Sequence, residues 1–490
     1  MTTALLLLQQ QPPPTPPARS ASCTPPGFLS AYRRTCAEYS SSSAMARGKI
    51  CSLSVRDVRF PTSRGQHGSD AMHTDPDYSA AYVVIETDAT DGLAGHGLTF
   101  TLGKGTEVVV CAVEALSVHL IGRELKDIVG NFRGFYRQLT SDGQLRWIGP
   151  EKGVIQLATA AVLNAVWDLW AKQEGKPLWK LLVDMDPKQL LSCIDFRYIT
   201  DALTEEEAYD ILKKGKHGQK EREQQMLKQG YPAYTTSCAW LGYTDKQLTE
   251  LCTQALNEGW TRFKVKVGAD LSDDIRRCKL IREMIGPKNL MMLDANQRWD
   301  VQEAIEWVTK LAVFEPLWIE EPTSPDDILG HAAISQALAP LGIGVATGEQ
   351  CHNRVMFKQF LQAKALRYLQ IDSCRLGSVN ENLAVMMMAK KFQIPVCPHA
   401  GGVGLCELVQ HLILFDYISV SGSLENRMCE YVDHLHEHFK YPVVIKNASY
   451  MVPQESGYSS EMKEDSIRQY QFPNGHIWQE LISEDQTMLE

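Results

Sequence analysis

The sequence predicts an α/β fold: a parallel (β/α) barrel preceded by an N-terminal α+β domain, with the C-terminal tail returning to that domain. Three observations predict it. From residue 231 to 421 a short apolar run, a loop and a helical stretch repeat about eight times, the pattern of βα units closing a barrel. Residues 50–102 instead read as strands broken by Gly-rich turns, without intervening helices. Helical periodicity fills 106–120 and 154–182.

Residues 1–44 differ from everything after them. Gln9 opens a Gln/Pro tract and Ser40 a serine run, compositions that do not build a packed core. Arg19, Arg33 and Arg34 against the single acid Glu38 leave two readings, a disordered extension or an organelle transit segment. The first domain spans 45–230. Its strands lie at 50–60, 80–86 and 92–102, and the polar stretch 63–78 is a loop too long to be idle in a compact domain. The segment 159–170 is apolar almost all round, a buried core helix, and 213–228 is a charged helical connection. The barrel spans 231–429, with strands predicted at 233–236, 262–267, 290–294, 318–320, 343–346, 368–371, 396–399 and 417–419. Helices fall between them, at 273–285, 301–311 and 380–392 among others. Residues 430–490 form the returning tail.

Composition narrows the function. A formal net charge of -10 gives no electrostatic reason to expect nucleic acid or an anionic membrane as partner. Thirteen cysteines without CxxC pairs read as reduced thiols. No apolar run approaches the roughly 20 residues that span a bilayer.

The chemistry sits at the strand ends. Side chains there converge on one mouth of a parallel barrel. Asp294, Glu320 and Glu349 end the third, fourth and fifth strands, and three neighbouring carboxylates need a cation; all-oxygen ligands suit Mg²⁺. Lys264 and Lys266 share a face of the second strand beside them. A lysine near that cation should have a depressed pKa and could act as a general base. Asp372 and His399 end the sixth and seventh strands, an Asp–His dyad in which the carboxylate fixes the tautomer and supports the imidazolium. A base on one side, an acid on the other and a metal beneath suit proton abstraction α to a carboxylate.

The order Lys-x-Lys, Asp, Glu, Glu, Asp, His resembles the mandelate racemase group of the enolase superfamily. Within it, the segments that begin at Gly230, Asp294 (Asp-Ala-Asn-Gln) and Pro398 (Pro-His-Ala-Gly-Gly-Val-Gly) resemble the L-fuconate dehydratases. The resemblance covers the chain from Met45 onward. It implies that the α+β domain caps the barrel and that one Mg²⁺ per site is bound by Asp294, Glu320 and Glu349. It also implies loss of water from an acid sugar to give a 2-keto-3-deoxy acid. Lys and His bases with Mg²⁺ are the known pattern of this superfamily. By the same resemblance Lys266 is the base at C2, and His399, backed by Asp372, the acid for the 3-hydroxyl. The substrate contacts it implies are Gly68, Ser69, Asp70, Tyr78, Lys264, Glu349, His399, Ala400, Gly401 and Glu430, the last of these after the final strand. A small-molecule partner, a homo-oligomer and a mitochondrial location are expected on the same ground, the cytoplasm being the alternative. Another acid-sugar dehydratase or a racemase of the same group, and a non-catalytic binding protein on the same fold, are the competing readings.

Overall fold

The structure, a computed structural model, describes residues 46–489, so the reading of 1–44 lies outside the described residues. Three strands, β1 (Ile50–Arg59), β2 (Ser79–Thr87) and β3 (Ala94–Thr101), form an antiparallel meander in which Val55 faces Val83 and Val83 faces Gly97. The helix Gly153–Gln173 lies across it. A side chain at Gly97 would sit 2.3 Å from the Ala165 nitrogen, so glycine sets how closely helix and sheet approach. At 21 residues that helix is long and apolar enough to cross a membrane by length and composition, which the apolar-run count understated. However, 89% of its most apolar window is buried inside the protein. Two of its buried polar side chains find partners there: the Asp168 carboxylate accepts from the His96 and Tyr458 backbone nitrogens, and Asn164 Nδ2 donates to the Leu98 carbonyl. It is a core helix.

The barrel strands are parallel and neighbours in sequence are neighbours in space: β4 (Tyr231–Thr235), β5 (Arg262–Lys266), β6 (Leu290–Asp294), β7 (Trp318–Glu320), β8 (Gly344–Thr347) and β9 (Tyr368–Leu369). Val396 bridges Leu369 in the seventh position. The eighth is β10 (Cys429–Tyr431), which pairs with β4, while the Glu430 nitrogen donates to the Pro398 carbonyl at 3.2 Å and closes the ring. The expected eighth strand at 417–419 is wrong. The chain is still helical there, continuing the helix Leu405–Phe415 into a wider turn over Asp416–Ser421. Every residue of that helix is buried, so it carries no polar face to separate a helix from an apolar strand.

The tail does two things. The hairpin β11 (Ile445–Lys446) and β12 (Ser449–Tyr450) adds to β4, Tyr450 opposite Tyr231. Beyond it the chain returns to the first domain: Glu461 pairs with Lys172 at 2.9 Å, Val58 bridges Gln471, and Trp478 Nε1 donates to the Arg59 carbonyl at 2.9 Å.

Candidate active site

Register places the first residues. Lys266 stands opposite Asp294 across β5 and β6, and Asp294 opposite Glu320 across β6 and β7, so three charged ends lie side by side. Glu349 arrives differently. It is not the end of β8 but two residues past it, after Gly348, whose φ is +143° and where a Cβ would lie 2.0 Å from the Gln370 carbonyl oxygen. Only glycine makes that turn without a clash. One carboxylate oxygen each from Asp294, Glu320 and Glu349 then lies within 4.8 Å of the others.

Both lysines bind these acids. Lys264 Nζ lies 2.8 Å from Glu320 Oε1, 3.2 Å from Asp294 Oδ2 and 2.6 Å from Glu430 Oε1. Lys266 Nζ donates to Asp294 Oδ2 at 2.6 Å and to Asn296 Oδ1 at 2.9 Å. Burial works against charge on both, but the acids outweigh it: Glu320, Glu430 and Asp294 hold Lys264 well above its ordinary value, and Asp294 raises Lys266. The expected depression belongs to the metal-bound site; with the carboxylates pairing the lysines themselves, both lysines are raised. The excess of acid remains. Four carboxylates, Asp294, Glu320, Glu349 and Glu430, face two ammonium groups; burial pushes Glu320 up to about 8, and buried Glu349 Oε2 has no hydrogen-bond partner among the described residues. An all-oxygen donor set with surplus negative charge fits a hard divalent cation.

Across the mouth, His399 Nδ1 and Asp372 Oδ2 lie 2.7 Å apart. Asp372 Oδ1 accepts from the Cys374 and Arg375 nitrogens at 2.7 Å each, which locks the carboxylate toward the ring. His399 Nε2 faces the other acids, 3.5 Å from Glu349 Oε2 and 3.8 Å from Glu430 Oε2. Burial disfavours its charge, but Glu349, the Asp372 hydrogen bond and Glu430 push it up to about 9.

Lys266, Glu349, Asp372, His399, Gly401 and Glu430 line one cavity of about 290 Å³, with Gly68, Asp70 and Tyr78 from the first domain closing it. Other expected residues lie off its wall. Asp294, Glu320 and Lys264 sit beneath it, at most 1% exposed. Ser69 Oγ donates into its own loop, to the Thr74 carbonyl at 3.0 Å, and the Ala400 nitrogen donates to Glu430 Oε2 at 3.0 Å. Glu430 lies within the last strand rather than after it. The wall also holds residues to which the sequence gave no role, among them His73, Thr236, Asn296 and Arg375, although Thr236 and Asn296 lie in the segments from Gly230 and Asp294 that carry the resemblance. Asn296 was two residues from a recognised acid, and His73 lies in the loop marked out by its length. Nothing in the sequence distinguishes Thr236 from its polar neighbours.

Taken together, these elements define a barrel enzyme whose mouth is closed by a separate domain and whose floor is a carboxylate metal site. Residues 64–183 match the family model described as mandelate racemase / muconate lactonizing enzyme, N-terminal domain, and residues 247–466 match the enolase C-terminal domain-like model. The chain belongs to this family, the mandelate racemase group of the enolase superfamily. It is similar to human mitochondrial enolase superfamily member 1, whose crystal structure is 78% identical, covers 90% of this chain and 100% of its own, and superposes with a TM-score of 0.89. The L-galactonate dehydratase of Hypocrea jecorina is 51% identical over 88% of this chain and 95% of its own length. A racemase from Streptomyces coelicolor A3(2), solved with bound magnesium, is 25% identical, covers 84% of this chain and 97% of its own, and has a TM-score of 0.65.

Proposed function

We propose that the chain dehydrates a monosaccharide acid, L-fuconate foremost, to a 2-keto-3-deoxy acid and water. The observation that carries this reading is one cavity with Lys266 on one side and the Asp372–His399 dyad on the other, above three clustered carboxylates. The name of the Hypocrea relative, an acid-sugar dehydratase half identical in sequence, supports it.

In this reading Lys266 Nζ, held by Asn296, takes the proton from C2 of the substrate in its neutral form, which a cation on Asp294 would favour by replacing the ion pair that keeps the lysine charged. When bound at Asp294, Glu320 and Glu349, Mg²⁺ supplies positive charge for the enediolate that proton loss creates. His399 gives its Nε2 proton to the 3-hydroxyl, which leaves as water, and the resulting enol tautomerises to the 2-keto acid. Asp372 holds the ring and supports its charge. Gly68, Asp70, Tyr78, Gly401 and Glu430 shape the space around the sugar. The human relative's name also supports a mitochondrial location, which a fluorescent reporter fused behind residues 1–44 tests by imaging.

A panel of acid sugars assayed for 2-keto acid formation tests the reaction. L-fuconate should give the highest kcat/KM. A lysine and a histidine on opposite faces also suit proton transfer at a single carbon. Exchange of the α-proton in D₂O without dehydration would therefore replace the proposal with a racemase, and no turnover of any acid sugar would leave a binding protein.

A further inference from the structure

The end of the first barrel strand carries four consecutive side chains that can hydrogen-bond: Thr235, Thr236, Ser237 and Cys238. Three have protein partners. Thr235 Oγ1 lies 3.9 Å from Cys238 Sγ, and Ser237 Oγ accepts from the Asp433 nitrogen at 3.1 Å. Thr236 does not. Its residue is 2% exposed and its buried hydroxyl has no hydrogen-bond partner among the described residues, yet it is the one of the four on the wall of the active-site cavity. Its backbone nitrogen donates to the Tyr431 carbonyl at 3.2 Å, which ties this strand end to the last strand. A buried hydroxyl left unpaired destabilises a fold, so one that faces a cavity calls for a partner to enter there.

We propose that Thr236 is a substrate-binding residue, whose hydroxyl exchanges a hydrogen bond with one hydroxyl of the bound acid sugar. This rests on the dehydratase reading above. Trp240, four residues on, lines the same cavity, and the Leu241 nitrogen donates to the Ser69 carbonyl at 3.1 Å. The strand end that carries Thr236 is thus docked against the loop that covers the sugar, so a ligand hydroxyl there is enclosed from both domains.

The test compares wild type, Thr236→Val and Thr236→Ser on the acid sugar that wild type turns over best. Valine keeps the volume and removes the hydroxyl; serine keeps the hydroxyl. Thr236→Val should melt at the same or a higher temperature than wild type while kcat/KM falls about ten- to a hundredfold, and Thr236→Ser should retain most activity. Among analogues each lacking one hydroxyl, one should bring wild type and Thr236→Val to equal kcat/KM. Unchanged kcat/KM in Thr236→Val, with wild type active, overturns this assignment alone and makes the hydroxyl a water site. A deficit that persists on every deoxy analogue overturns the hydroxyl contact. A wild type inactive on all acid sugars overturns the dehydratase reading and this one with it.

Discussion

Replacing Asp372 by Asn separates the charge of the dyad from its shape. The carboxamide keeps an acceptor for the Cys374 and Arg375 nitrogens, so the loop should hold. Its NH₂ group then faces His399 Nδ1, which must accept instead of donate, and the ring is driven toward its neutral form. A hydrogen bond to a charged group contributes about 1.5–3 kcal/mol. At about 1.4 kcal/mol per pKa unit that is one to two units. His399 should therefore fall from about 9 to about 7–8. If His399 is the acid, activity needs its proton and is lost as pH rises through its pKa. The alkaline limb of kcat against pH should move down by one to two units in Asp372→Asn, with a smaller deficit at pH 6. The same shift has a stability sign. A histidine raised from 6.5 to about 9 on folding stabilises fully below 6.5, and that contribution disappears as pH rises through about 9. NMR titration of labelled histidine, compared between wild type and variant, reads the pKa without any substrate. An alkaline limb and a His399 titration that coincide in the two proteins would refute the dyad.

Chelation should abolish turnover and added Mg²⁺ restore it, while Glu320→Gln should lose activity that excess Mg²⁺ does not recover; full activity in chelator sinks the triad. Lys266→Ala should stop exchange of the substrate α-proton in D₂O, measured by NMR, with the fold intact by circular dichroism; continued exchange moves the base elsewhere. Arg354 is 1% exposed and lies 3.0 Å from Glu151 and 3.2 Å from Glu381, joining the first domain to the barrel. Arg354→Met should destabilise by about 3–5 kcal/mol because it strands both acids. Adding Glu381→Gln should recover part of that in denaturant unfolding, and simple additivity of the two losses would show that they do not interact.

Much of this was legible in the sequence, for a physical reason. A parallel strand buried on both faces is an apolar run, so an acid, lysine or histidine at its end stands out, as at Lys266, Asp294, Glu320 and His399. The eighth strand was not legible because Cys429–Tyr431 is three residues long, while the helix ahead of it is apolar on every side. Glu349 was found for its chemistry and misplaced by two residues, since the turn at Gly348 is a backbone event. The lysine–carboxylate pairs were not legible because sequence assigns each carboxylate one partner and space gives it two. Thr236 is ordinary in every respect except that its neighbours are satisfied and it is not.

The tail that crosses back from the barrel to β1 and Lys172 has a consequence for biosynthesis. The polypeptide enters and leaves through the same layer, with the barrel inserted between. A ribosome making this chain completes the catalytic strands while Arg59 and Lys172 still await Trp478 and Glu461. The lid over the cavity is thus finished last. A chain halted before residue 461 would carry the acids and bases of the site beneath an unsecured cover, so premature products should be silent as enzymes rather than partly active.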